Sequence, residues 1–515
     1  MRPRLLFAGQ DRGYPKPPPE VGDLECDLGI PPVLDAMASG DAYLRDVAER
    51  VLLSPPLTPE EIDYRLNVLD DCLHHPDAIR ELYELAATAT GAKRRVHAWL
   101  STDRCGAILR SSAAILRDLA VHLERLHDFA LEHHGQFRSS GLTALLASIE
   151  RDLGDDYLAQ VRSYLEQLKF SGGVVLTARL GPGCTGIDYS LRDAAPTPWF
   201  TRLSDSLPHH RSYTYHLPPR DEYGGRTLER IRDHGINEVA NAAAQSADHV
   251  LDFFRRLAFE VGFYLACVHL HEDLARTGVT TCRPTPETEE SRALTARALV
   301  DVGLAVRSQR APVGSDLDAD GKALIMVTGA NQGGKSTFLR AIGLAQLMFD
   351  AGLFVTADRF RASPSAGVFT HYRREEDTTL RHGKFDDELV RMSQLVDRLT
   401  PNAIALLDES FSSTNEIEGS QVARDIVDSL VTAGVRVCYV THLYPLAHGL
   451  AQQHDPRHLF FRAQRDPGGL RSYRIIPAEP EATSYAVDQF REVFAEPLRI
   501  KADRSGGQAE PQQSR

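Results

Sequence analysis

The sequence predicts a multidomain protein in which a mostly α-helical region, carrying a small β insertion, is followed by an α/β domain with a mostly parallel sheet. Three observations predict it. The 515 residues exceed the size at which one hydrophobic core stops growing. Apolar residues recur at helical spacing across residues 58–170 and again across 239–274. From Lys322 onward short apolar runs alternate with helical stretches, the pattern of a parallel sheet with crossover helices.

Composition narrows the function classes. Hydrophobic residues at 42% and charged residues at 25% supply enough apolar surface to offset the chain entropy of folding, so wholesale disorder is excluded. The most apolar window, Leu251 to Leu270, contains Arg255, Arg256 and Glu260, which excludes a membrane span there. Met1 to Gly9 holds too short an apolar run for a signal peptide, and a cytoplasmic protein without membrane partners is expected. Seven scattered cysteines without a C-x-x-C pair read as reduced core residues. The net charge, 58 − 71 = −13, has the wrong sign for coating nucleic acid by bulk charge.

In chain order, residues 1–39 read as a Pro-rich leader and 40–300 as a helical core. Thr58-Pro-Glu-Glu61 starts a helix, with Thr58 as N-cap, Pro59 in the first turn and Glu61 closing a capping box. Its stripe is Ile62, Leu66, Leu69 and Leu73. Between 171 and 219 the period changes, and Val174–Ala178 with Ile187–Leu191 predicts an antiparallel excursion. Helical periodicity returns at Val239 and runs to Leu274, with Gly278 as the residue past the end, a helix of roughly 50 Å. Residues 301–500 form the α/β part: strand Ala323–Thr328, helix from Lys335, strand Ile404–Leu407, helix Glu418–Ala433, strand Val435–Val440 and helix from Tyr444. The polar tail 501–515 is expected to be disordered.

Between the first of these strands and its helix, residues 329–336 fit G-x-x-x-x-G-K-[ST]. Gly329, Asn331, Gly333, Gly334, Lys335, Ser336 and Thr337 are therefore candidates to hold ATP. Loop amides and the helix N-terminus suit phosphate, Lys335 suits the β- and γ-phosphates, and the Ser336 hydroxyl suits Mg²⁺. The apolar strand at 403–407 ends in Asp408-Glu409. Asp408 is a candidate Mg²⁺ ligand and Glu409 a candidate base for the attacking water. The following strand ends in Thr441-His442, and His442 is a third catalytic candidate beside Lys335 and Glu409. Acidic strand ends also occur as helix caps, and a lone His is more often a loop residue; the coincidence of three motifs favours function. The His pairs at 74/75, 133/134 and 209/210 read as solvated, and residues 373–377 as a charged surface turn or a switch.

Thr328 to Arg340, Leu406 to Thr414 with Glu418-Gly419, Val440 to Leu443, and Thr483-Ser-Tyr485 together resemble the ATPase of the MutS family. The helix around Val68 to Leu82 and the long helix ending at Leu274 resemble that family's core and returning lever. The resemblance implies an ABC-like P-loop ATPase domain and a homodimer with ATP at its interface, Thr414 and Asn415 reaching the partner's γ-phosphate. It places 171–219 where the family inserts its DNA clamp. There Arg179, Arg192, Arg202 and Arg211, interleaved with Trp199, Phe200, Tyr213 and Tyr215, suit a sequence-independent grip on double-stranded or branched DNA. Scattered arginines diluted by Asp188, Asp193 and Asp205 also read as a solvated β surface.

The sequence departs from the family's pattern at Phe411 to Glu416, where two glycines are lost, and at Ala486, which replaces a glycine. The core-like pattern begins by about residue 40, with no Phe-x-Glu wedge ahead of it, and little chain follows the last motif. The expectation is a short MutS-related ATPase without the mismatch-recognition and Smr domains. Its function would be ATP-dependent DNA binding coupled to dimer closure, related to mismatch repair or recombination, with a repair or recombination protein as possible partner. The alternative is an ATP-gated dimeric assembly module acting on a protein partner without DNA.

Overall fold

A computed structural model describes residues 2–9, 13–18, 21–54, 56–92, 105–170, 173–192, 216–218, 220–330, 332–374, 383–465 and 471–481. The helical region opens with α1 (Gly22–Leu28), α2 (Pro31–Ala38) and α3 (Ala42–Leu52), followed by α4 (Pro59–His74) and α5 (Pro76–Thr90). The capping box is formed as expected: Glu61 N–H donates to Thr58 Oγ1 at 3.3 Å and Thr58 N–H to Glu61 Oε2 at 3.1 Å. The segment expected as a leader is built into the core. Leu5 and Leu6 are buried, both backbone N–H groups donate to the Glu260 carboxylate, and Tyr264 donates to Leu5 O at 2.8 Å.

Then come α6 (Cys105–Glu132), α7 (Ser140–Asp152) and α8 (Asp155–Gln167), and a hairpin of β1 (Val175–Leu180) and β2 (Gly186–Arg192), antiparallel as predicted. Helix α9 (Glu222–Thr277) has 56 residues, which makes it about 84 Å long. It starts at Glu222, not Val239. The added turns carry no apolar stripe to be read from sequence, exposing Tyr223 and Leu228, and contain Gly224, Gly225 and Gly235. They begin where the Asp221 side chain accepts from Gly224 N at 2.8 Å. Gly278 ends the helix at φ +77° as expected. The Leu251 to Leu270 stretch is apolar nearly all round because α2, α3, α5 and α6 surround it. Among the described residues no helix is long and apolar enough to cross a membrane.

The α/β part contains β3 (Thr285–Pro286), β4 (Leu294–Leu299), α10 (Val302–Ser308), β5 (Ser315–Asp318), β6 (Leu324–Thr328), α11 (Lys335–Asp350), β7 (Arg359–Ala362) and β8 (Val368–Tyr372). It continues with α12 (Lys384–Val396), β9 (Ile404–Asp408), α13 (Glu416–Thr432), β10 (Arg436–Val440), α14 (Tyr444–Ala451), β11 (His458–Arg465) and β12 (Arg471–Pro477). The larger sheet runs β12-β11-β6-β10-β9-β8, parallel except for the β11–β12 pair. Strands β6, β9 and β10 are buried along their whole length, which is why they read as unbroken apolar runs. A second sheet, β3-β7-β4-β5, was not foreseen, and its pairs are mostly antiparallel. Its strands are too short and too mixed in polarity to show a period.

Arg65 of α4 joins the two parts. Fully buried, it donates to Leu6 O at 3.0 Å and to Ala351 O just past α11 at 2.9 Å, with its guanidinium over the Phe7 ring. Two histidines expected in solvent are structural instead. Gln136 hydrogen-bonds both His75 (2.9 Å) and His133 (2.5 Å), and both rings lie against Phe137. Among the cysteines, Cys26 is exposed rather than in the core.

Candidate nucleotide site

Parallel pairing brings the motifs together. Strand β10 lies between β6 and β9, with Val440 level with both Val327 and Asp408. The loop after β6, the Asp408-Glu409 pair and the Thr441-His442 pair therefore leave one edge of the sheet side by side. Gly329 at φ +108° and Gly334 at φ +92° turn the first loop through the left-handed region. At Gly333 the constraint is space: a Cβ would lie 2.7 Å from Ala463 Cβ and 2.9 Å from Ala330 O. Helix α11 begins at Lys335, so its N-terminus faces the same loop.

Lys335 folds over the loop, Nζ donating to Gly329 O at 2.7 Å and Ala330 O at 3.2 Å. Burial lowers its pKa, and the Glu409 and Asp408 carboxylates oppose that shift. Burial pushes the Asp408 carboxyl up to about 6 against a hydrogen bond from Ser336, and its Oδ1 is buried with no hydrogen-bond partner. Thr337 accepts from Arg340 at 3.4 Å, while Arg340 Nε bonds Asp301 at 3.0 Å.

Glu409 has φ +51° and is fixed by its N–H, which donates to Val440 O at 2.9 Å. Its two carboxylate oxygens face different side chains: Oε1 lies 3.9 Å from His442 Nδ1, and Oε2 lies 3.6 Å from Arg373 Nη1. His442 first, then Lys335 and Arg373, hold this carboxyl below its ordinary range. Arg373, which the sequence placed on a charged surface turn or a switch, stands at this site. Its N–H donates to Asp408 O at 2.9 Å, because β8 runs in register with β9 and Tyr372 sits level with Asp408.

The loop after Glu409 is held by side-chain packing and hydrogen bonds. Phe411 takes φ +64°, and its ring is fully buried, stacked on His371 and edge-on to Phe385. Ser410 O accepts from Tyr439 at 2.6 Å. Thr414 Oγ1 donates to Glu418 at 3.2 Å, and Asn415 Oδ1 accepts from the N–H groups of Ile417 and Glu418 as the N-cap of α13. A cavity of about 370 Å³ opens here, lined by Thr328, Gly329, Ser412, Thr414, His442 and Tyr444.

Elsewhere, Arg179 pairs with Asp188 across the β1–β2 hairpin at 3.3 Å, and Arg192 ends β2 exposed. The hairpin packs on α9, far along the chain from the loops above. Arg202, Arg211, Trp199, Phe200, Tyr213, Tyr215, Asn331, Ala486, the Thr483–Tyr485 motif and the 501–515 tail lie outside the described residues.

A family model described as the MutS2 N-terminal domain matches residues 58–277, and one described as MutS domain V matches residues 325–500. The DNA mismatch repair protein MutS of Chloroflexus aurantiacus is 31% identical over 184 residues, covering 32% of this chain and 19% of that protein. The DNA mismatch repair protein MutS of Thermus aquaticus is 29% identical over 166 residues, covering 32% and 20%. The Endonuclease MutS2 of Thermus thermophilus is 31% identical over 123 residues, covering 24% and 16%. The match therefore spans about a fifth or less of the length of these curated relatives.

Proposed function

This chain belongs to the MutS family, and on that premise we propose that it is a Mg²⁺-dependent ATPase whose hydrolysis is coupled to closure of a homodimer and to its grip on DNA, in mismatch repair or recombination. The observation that carries the reading is Asp408 Oδ1, a buried carboxylate oxygen without a partner beside the Ser336 hydroxyl and the glycine-lined loop. A native protein does not leave such an atom unsatisfied without reason, and a cation held by Asp408 and Ser336 would supply the missing partner. When bound, magnesium neutralises charge on the β- and γ-phosphate oxygens.

In this reading each side chain has one task. The loop amides and the start of α11 hold phosphate, which Gly329, Gly333 and Gly334 permit by their backbone shape. Lys335 exchanges its two carbonyl partners for phosphate oxygens. Glu409, kept ionised by His442, Lys335 and Arg373, accepts the proton of the attacking water, and His442 steers it. Thr414 and the capped N-terminus of α13 at Asn415 are presented to the partner's nucleotide. We read 40–300 as helical core and lever, 171–219 as clamp and 301–500 as ATPase domain, with Arg179, Arg192, Arg202 and Arg211 on the DNA side.

The test is ATP turnover with Mg²⁺ and no DNA, homoduplex, mismatched duplex or branched DNA, for the wild type and Lys335→Ala. Slow basal turnover that DNA changes and Lys335→Ala abolishes is expected. A folded wild type with no magnesium-dependent affinity for ATP would end the reading. The net charge of −13 favours a second reading, an ATP-gated assembly module for a protein partner. Turnover indifferent to every DNA, with no salt-sensitive DNA binding, selects it.

A further inference from the structure

We propose that Arg373 is a cis-acting nucleotide sensor: it pairs with Glu409 while no triphosphate is present and transfers its guanidinium to the terminal phosphate of bound ATP. The proposal rests on the reading of this sheet edge as an ATPase site. Its backbone is pinned on both sides of the side chain. Arg373 N–H donates to Asp408 O at 2.9 Å, and the next residue, Arg374, forms an ion pair with Asp23 of α1. The strand end is fixed, so the guanidinium is the part able to re-aim.

The contact it makes is easy to exchange. At 3.6 Å, Nη1 to Glu409 Oε2 is longer than a charge-assisted hydrogen bond, and the Arg373 side chain is 51% exposed. A terminal phosphate carries more charge than one carboxylate and offers oxygens that match the guanidinium fork. Among the described arginines near the loop, Arg340 is tied to the buried Asp301 at 3.0 Å and Arg462, beside Gly329, pairs with Glu481, so neither can take this role without breaking an ion pair.

Two consequences follow from one movement. Arg373 adds affinity only for a nucleotide with a third phosphate, and Glu409 loses its pairing cation only when there is a phosphate to hydrolyse. With ADP bound the ion pair is restored.

The experiment measures the affinity of the full chain for Mg²⁺ with AMP-PNP and with ADP, for wild type, Arg373→Ala and Arg373→Lys, with thermal midpoints to establish folding. Arg373→Ala should weaken AMP-PNP by about tenfold, the loss of one charged contact, and leave ADP unchanged. Arg373→Lys should recover part of the loss. Equal weakening of both nucleotides would show a structural residue and overturn the proposal, as would no change in either. A wild type that binds neither nucleotide would instead sink the ATPase reading beneath it.

Discussion

Asp350, at the end of α11, is a carboxyl buried completely in the α/β part, where burial pushes its pKa up to about 7 although Ser365 and Gln346 donate to it. The ordinary value is 3.8, so between those limits the folded chain keeps a proton that the unfolded chain has released. Its contribution to stability is complete below the ordinary value and is lost as pH rises through about 7. Comparing thermal midpoints of wild type and Asp350→Asn at pH 5 and pH 8 checks this: the variant should gain on the wild type at the higher pH, and parallel curves would refute it. At the nucleotide site, Glu409→Gln should bind ATP but not turn it over; unaltered turnover would remove Glu409 from its role as base. Lys335, Ser336, Asp408 and Glu409 were legible in the sequence because each belongs to a short motif at a strand end. For Arg373 the sequence offered only a charged turn or a switch, since its place beside Glu409 comes from the register of β8 on β9, and no local spacing records that register.

Among the elements, α4 shows how far local chemistry reaches. Its capping box was readable from four residues, and Thr58→Ala should cost about 1 kcal/mol, measured as a shift in denaturant midpoint of the helical region. The first turns of α9 were unreadable for the opposite reason, because solvent-facing polar helix has no period of burial. Gly235 there has a packing purpose: a Cβ would stand 2.3 Å from Leu176 Cδ2 of the hairpin. Gly235→Val should displace β1–β2 and weaken DNA binding while DNA-free ATP turnover stays at the wild-type rate; intact DNA affinity would argue that the hairpin is not a DNA-contacting element. In the loop after β9, where the family's two glycines are missing, Phe411 holds a left-handed backbone, and the burial of its ring offsets the strain.

Across the whole molecule, the helical and α/β parts share one hydrophobic core, and buried polar contacts between residues far apart in sequence cross it. Arg65 reaches Leu6 and Ala351, and a Cβ on Gly352 would lie 2.7 Å from Arg65 Cβ. Arg65→Met keeps much of the volume but strands two carbonyls, and the thermal midpoint of the full chain should fall by several degrees; an unchanged midpoint would mean the two parts are held together elsewhere. The layout also gives α9 a mechanical character. Its C-terminal half is clasped by α2, α3 and α5, while α6 lies along its N-terminal half, Leu109 packing with Ile236, Ala240 and Ala243, so the two helices run side by side toward the hairpin. A tilt of only about 5° at the clasped end would sweep the opposite tip through roughly 7 Å, more than a full helical turn of rise. Leu176 of the hairpin, packed against Gly235, stands on the same continuous helix whose other end is held in the core.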